Sequence, residues 1–521
     1  MLSKRDQRFA RSYNRKERSG QPSLSRGYQE GERRLPSSTM QDIDSIRDSN
    51  DKKLLPDLSQ QSSAPNFIYG IWLGRGLYSN LELDRAFRVA KNLGVKYFKV
   101  EFKWAFIEPR NDKWQWDNEG TIDVEYVISL AKRYNFSIIP YFNIFMPWGE
   151  KKHVNPNRGE CDGLPSRWGQ HQAPDPQEYA EYVFSVIEKI KRNGVDVSYI
   201  ELDNEDSVMN DGYRSWNCYI NITAKQLKIV ENAAYEKVKQ RYPDVKISST
   251  TFNSPGMDSM VDNDIFNKFT YRLNNFIEVY FGEDPRPKFD FLALHEIFSG
   301  SGNPYTTLEK QKAADYTYNF SSYHDTYEIW RDILDRYGYT GIPIFTTESA
   351  AKLKGKQDAE LIQKVVFART NAYKNNVIGW ILSQLTGSKK FTEGKRRNLA
   401  TVGIIDITQD YEFREGYYAF YALMTTLAKY PIYEKRLMGE LNSQQPWVEK
   451  FSDSAGNVLL VAFIPCLFGH DTHQTLSLQV GSNKDVILKK SNSTMTRMRS
   501  DRNGYVTFTV TQHPIFIEIN Q

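Results

Sequence analysis

Asn66-Phe-Ile-Tyr-Gly-Ile-Trp-Leu-Gly74 and Val95-Lys-Tyr-Phe-Lys-Val-Glu-Phe102 are two short apolar-rich runs separated by one amphipathic stretch. Between them Leu83, Phe87, Ala90 and Leu93 recur every three or four residues, and Gly94 closes the series. That is the spacing of a helix laid on a sheet. The same unit then repeats. Further strand-like runs are Ser137-Ile-Ile-Pro-Tyr-Phe-Asn143, Val197-Ser-Tyr-Ile-Glu-Leu202, Lys246-Ile-Ser-Ser-Thr-Thr251, Phe289-Asp-Phe-Leu-Ala-Leu294, Ile342-Pro-Ile-Phe-Thr346 and Val377-Ile-Gly-Trp-Ile-Leu382. Helical stretches lie between them, among them one near residues 122–134 and one opened by Asp175 as N-cap, Pro176 and Glu178 and stopped at Gly194. Eight strands alternating with helices over residues 66–430 predict a closed parallel (β/α)8 TIM barrel rather than an open sheet.

Beyond Pro431 the pattern changes. Val458-Leu-Leu-Val-Ala-Phe463, Thr475-Leu-Ser-Leu-Gln479 and Pro514-Ile-Phe-Ile-Glu-Ile519 follow one another without helices, so residues 431–521 read as an antiparallel, sandwich-like β domain. Residues 1–65 are rich in Ser, Gln, Arg and Asp and poor in apolar residues, the composition of a disordered tail. The net charge of +4 is concentrated there: residues 1–36 carry +6, which leaves about −2 for the remainder. A nearly neutral folded part offers no basic groove for nucleic acid. No run of 18 apolar residues suggests a membrane span. The tail lacks the apolar segment of a secretory leader, which places the chain in the cytoplasm by default, although its chemistry would suit an exported enzyme. Aromatics reach 14% of the sequence, consistent with flat-faced ligands such as sugars or with additional core packing.

In such barrels the reacting groups lie where strands end. The fourth strand ends Leu202-Asp203-Asn204-Glu205 and the seventh ends Thr346-Thr347-Glu348. These strands oppose one another, so two carboxyl groups can converge on one bond. A pair about 5–5.5 Å apart supports retaining glycoside hydrolysis, one group protonating the leaving oxygen while the other attacks the anomeric carbon.

These residues resemble a clan A glycoside hydrolase, most of all family 39 and its relatives, over roughly residues 66–430. The resemblance rests on Asn204-Glu205, on Glu348 within Pro343-Ile-Phe-Thr-Thr-Glu348, on Trp104-Ala-Phe-Ile-Glu-Pro109 with Trp114-Gln-Trp116, and on Pro147-Trp148 and Pro174-Asp-Pro176. It implies Glu205 as general acid/base and Glu348 as nucleophile, with no cofactor. It further implies Asn204 on the sugar 2-hydroxyl, His295 beside the nucleophile or sugar, Trp380 as an apolar floor, and Trp104, Asn143 and Trp148 lining the subsite. The sequence departs from the pattern at Lys99, where such barrels often carry Arg. Lysine supplies a point charge without the planar two-donor fork, so the nucleophile is expected to be positioned differently, with another residue as a candidate for the missing hydrogen bonds. Glu101, Glu108, Glu201, Asp203, Asp206 and Glu296 read as decoys, because none has a partner with a matching motif on the opposite strand.

The reading is therefore a retaining glycosidase acting on an oligo- or polysaccharide, with Trp148, Trp168, Tyr213 and Trp216 on long loops beside the cleft. The alternative is a catalytically impaired barrel that binds carbohydrate. A metal-dependent barrel would need clustered strand-end ligands, and His295 is the lone strand-end histidine in the sequence reading. His470-Asp-Thr-His473 lacks further ligands for a metal. Cys161 and Cys218 could brace the cleft as a disulfide or remain free thiols. Oligomeric state, sugar and linkage are not legible.

Overall fold

The computed structural model describes residues 67–74, 80–117, 123–144, 171–203, 220–253, 276–296, 326–351, 357–385, 403–406, 412–439, 445–465 and 473–519. The expected tail, all three cysteines, Asn204, Glu205, Trp148, Trp168, Tyr213 and Trp216 lie outside these residues.

Eight parallel strands form the first sheet: β1 (Ile68–Trp72), β2 (Tyr97–Phe102), β3 (Ser137–Phe142), β4 (Tyr199–Ile200), β5 (Lys246–Asn253), β6 (Phe291–Glu296), β7 (Ile344–Ser349) and β8 (Val377–Ser383). Neighbours in sequence are neighbours in space, and β1 pairs with β8. The remaining seam closes between β3 and the residue after β4: Glu201 N donates to Pro140 O, and Phe142 N donates to Glu201 O, both at 3.0 Å. The predicted barrel is the observed one.

Local chemistry explains its helices. In α1 (Asn80–Asn92) the buried residues Leu83, Ala86, Phe87 and Ala90 face the strands, while Arg88 and Lys91 stay outside. The helix predicted near 122–134 is α2 (Val124–Tyr134), where Asp123 caps Tyr126 N. Asp175 likewise accepts from Gln177 N and Glu178 N to start α3 (Pro176–Arg192), with Pro176 in its first turn and Gly194 beyond its end at φ +78°. A full capping box starts α4 (Ala224–Arg241), between Thr223 and Gln226. Two further helices, α5 (Thr326–Arg336) and α6 (Gln357–Lys374), precede β7 and β8, and α7 (Glu415–Thr425) follows.

Period-two alternation assigns each strand residue to the barrel interior or to the helical layer. Ile68, Trp72, Ile139, Tyr141, Phe291, Ala293, Phe345 and Ile381 fill the interior as one apolar cluster. Gly379 belongs to the same interior. A Cβ there would lie 2.6 Å from Ile68 Cβ and 2.8 Å from Phe345 Cε2, so only glycine lets these strands close. Above this packed plug, toward the strand ends, the inward residues turn polar.

The C-terminal strands are β9 (Ile432–Met438), β10 (Trp447–Ser452), β11 (Val458–Phe463), β12 (Gln474–Gln479), β13 (Asp485–Lys490), β14 (Met495–Arg499), β15 (Tyr505–Val510) and β16 (Ile515–Ile519). Six of them form an antiparallel sheet in the order β9-β10-β11-β16-β13-β14, and β12 pairs with β15. One face of the large sheet packs Leu460, Ala462 and Ile517 against Leu476, Leu478, Val506 and Phe508 of that pair. The other face sends Trp447, Phe451, Phe463 and Phe516 into the core of the barrel's helical layer. The helix α6 lies at this seam and is buried continuously from Gln357 through Arg369. Its polar side chains are matched to the sheet and to the chain entering it. Gln363 donates to Ile464 O and Gln512 O, while Arg369 donates to Tyr430 O, Pro431 O and the Tyr69 hydroxyl.

Candidate active site

Four charged side chains meet at the upper end of the barrel interior. Lys99 comes from β2, Glu201 follows β4, His295 comes from β6 and Glu348 from β7, and none is more than 1% exposed. Lys99 Nζ donates to Glu201 Oε1 at 2.6 Å and to Glu348 Oε1 at 2.9 Å, and reaches Thr347 O at 3.3 Å. The ammonium also lies 4.6 Å from the centroid of the Tyr141 ring. That ring is the apolar wall against which a desolvated cation is best tolerated. The second oxygen of Glu348 is served by Ser383 Oγ of β8, 3.4 Å away. Lysine and serine thus divide between them the two donors that one guanidinium fork would supply.

The charges hold one another in place. Burial works against an ionised Glu201, but the Lys99 ammonium and the His295 ring outweigh it and bring the carboxyl down to about 2. Burial likewise works against a cationic His295. The carboxylate of Glu348 outweighs that effect and the opposing charge of Lys99, with help from the hydrogen bond and charge of Glu201, and the ring rises to about 9. As a cation, its Nε2–H donates to Glu201 Oε1 at 3.1 Å, with Glu348 Oε1 at 3.8 Å. Glu201, fixed as an anion far below neutrality, cannot deliver a proton near pH 7.

His295 therefore titrates in the folded protein above the ordinary value of 6.5. Its protonation supports the fold fully below pH 6.5, and that support fades as pH rises through about 9. Glu201 has the opposite sign, its support being present above 4.5 and lost as pH falls through about 2. Nitrogen NMR of the imidazole, assigned against His295→Gln, is expected to show a ring cationic at pH 7.5 that titrates near 9. A midpoint at 6.5 would contradict the arrangement.

Glu201, His295 and Glu348 place ligand atoms within 4.8 Å of one another, a spacing that a divalent cation could use. The Lys99 ammonium already contacts all three, at 3.5 Å from His295 Nε2, and supplies the positive charge that a metal would bring.

The structure sorts the expected site residues. Glu348 and His295 are brought together as described. Asn143, just beyond β3, is half-buried, and its Oδ1 has no partner among the described residues, which leaves an acceptor at the strand ends. Trp380 does not form a floor inside the barrel. Gly379, Ile381 and Ser383 take the inward positions of β8, so Trp380 turns to the helical layer and stacks on Phe420 of α7, centroids 6.3 Å apart. Trp104 is also outside the site. It begins a single helical turn, Trp104–Ile107, lies flat on Tyr182 of α3 at 4.7 Å and donates to Glu108 Oε2. That bond makes Glu108 structural as well.

Glu201 requires a correction. It does have cross-barrel partners, Lys99 and His295, although no motif announces them. Asp203, in contrast, faces the helical layer. Its φ of +66° turns the chain out of the strand just before Asn204-Glu205, and its Oδ2 accepts from Thr250 Oγ1 at 3.1 Å. Trp72, which sequence reasoning missed, borders the quartet from the packed interior, its ring centroid 5.8 Å from Lys99 Nζ. It lies inward on β1 facing Tyr141, with ring centroids 6.1 Å apart. Counting alternate residues forward from Ile68 would have found it.

No protein-family model matches this chain, and no curated protein does. Solved structures do. A family 39 glycoside hydrolase from Bacteroides cellulosilyticus aligns at TM-score 0.53 and 13% identity, over 87% of this chain and 81% of that one. A glucosidase from Croceicoccus marinus aligns at TM-score 0.51 and 14% identity, over 88% and 96%. The catalytic domain of xylanase C, a family 30 enzyme from Talaromyces cellulolyticus, aligns at TM-score 0.50 and 13% identity, over 88% and 98%. The chain has the fold of these glycoside hydrolases, with family 39 among them.

Proposed function

We propose that the protein is a retaining glycoside hydrolase acting on an oligo- or polysaccharide, with Glu348 as nucleophile and Glu205 as acid/base. The observation that carries this reading is the setting of Glu348. It is a buried carboxylate at the end of β7, with one oxygen held by Lys99 and the other approached by Ser383. A carboxyl group so held is aimed, as a nucleophile must be before it meets an anomeric carbon. In the first step it would form a glycosyl ester while an acid protonates the departing oxygen; in the second, water activated by the same acid/base would release the sugar. The low titration of Glu201 speaks against it as that acid; the Asn204-Glu205 pair closing the fourth strand supports Glu205 in the role. Asn143 supplies an acceptor for the sugar at the strand ends.

Mass spectrometry after exposure to a panel of 2-deoxy-2-fluoro glycosides tests the proposal. A sugar adduct on Glu348 is expected, and an adduct on another carboxyl would overturn the assignment. No adduct with any sugar would favour a barrel that binds carbohydrate without cleaving it.

A further inference from the structure

A second cavity, of about 490 Å³, lies away from the barrel mouth, where α6 and α7 meet the C-terminal strands. Its size is that of a small-ligand site. Asp358 forms its inner end, hydrogen-bonded to His513 Nδ1 at 2.9 Å and to the Ser491 hydroxyl. Glu415, Lys490, Asn492 and Thr509 provide further exposed polar groups around it. Two carboxylates face one lysine and one histidine, so the lining favours neither a strong anion nor a strong cation.

The neighbouring surface is unusually aromatic. Tyr418 lines the cavity and is 43% exposed; Tyr421, one turn further along α7, and Phe413, just before the helix, are each 40% exposed. Exposed large apolar residues are few among the described residues, and three of them fall within these nine positions. A tyrosine ring presents a flat apolar face to the C–H face of a pyranose. Carboxylates accept from paired hydroxyls, while lysine, asparagine and threonine donate.

We propose that this cavity and the α7 tyrosines form a second carbohydrate-binding site, which takes a neutral glycan and is separate from the barrel's strand ends. The proposal relies on the glycosidase reading only for the choice of probes. The site would hold a polymer against the enzyme while another segment of it is cleaved.

Affinity electrophoresis of the full chain tests the idea in gels containing barley β-glucan, laminarin, arabinoxylan or glucomannan, with polygalacturonate as the anionic comparison. The Glu348→Ala background prevents digestion of the gel. Retardation in at least one neutral gel is expected. Tyr418→Ala, or Thr509→Arg at the exposed rim, should weaken it at least tenfold, and in the parent sequence both should leave hydrolysis of a short soluble glycoside unchanged. No retardation in any neutral gel, retardation by polygalacturonate alone, or retardation that neither substitution moves would overturn the site. Failure of the glycosidase reading would appear separately, as a parent protein without turnover.

Discussion

Glu348→Ala is expected to reduce hydrolysis by about 10⁴-fold or more, the scale on which removal of an enzyme's nucleophile is felt. Azide should then restore part of the turnover of an activated aryl glycoside by filling the space of the lost carboxylate. Glu205→Ala should behave differently. A dinitrophenyl leaving group departs without a proton, so the first step survives and a glycosyl-enzyme accumulates, while natural linkages are no longer cut. The contrast between the two variants identifies the roles. Wild-type activity in Glu348→Ala would remove it from the chemistry altogether.

The second large effect is expected at Lys99. Lys99→Met would leave the buried Glu201 and Glu348 with the His295 ring in place of two cations, and without the nearer one. Removing one partner from a buried ion pair costs about 3–5 kcal/mol, so denaturant midpoints should fall substantially and turnover with them. His295 gives an independent readout. The Lys99 ammonium opposes its protonation, so in Lys99→Met the ring should titrate higher than in the parent protein. Lys99→Arg keeps the charge and should recover much of both activity and stability. If Lys99→Met were as stable and active as the parent, the quartet would have no functional role.

The barrel was legible because its signal is repeated eight times, and a strand misplaced by two residues does not alter the count. The run Val197–Leu202 contracts to Tyr199–Ile200 in the structure, yet β4 still carries Glu201 into the site. Glu348 and His295 were legible because polar residues at the ends of apolar strands stand out. Glu201 was not, since its partner Lys99 is 102 positions away and neither belongs to a recognisable string. One signal was present. Lys99 falls in register with Tyr97 on the inward side of β2, and a lysine buried there must find carboxylates. Trp380 and Trp104 misled for a different reason. A tryptophan near a strand end fits a sugar platform and a helix–strand contact equally well, and only the strand's parity or the turn that follows it decides between them.

The helix α6 turns no side to water from Gln357 to Arg369, because the barrel covers one flank and the C-terminal sheet the other. Barrel and sheet are therefore not interchangeable parts. Gene fusions or chimaeras that borrow residues 66–430 as a cassette would uncover Phe367, take from Gln363 the carbonyls of Ile464 and Gln512, and take from Arg369 that of Pro431. The unit that can be inherited, exchanged or engineered intact runs from β1 to β16.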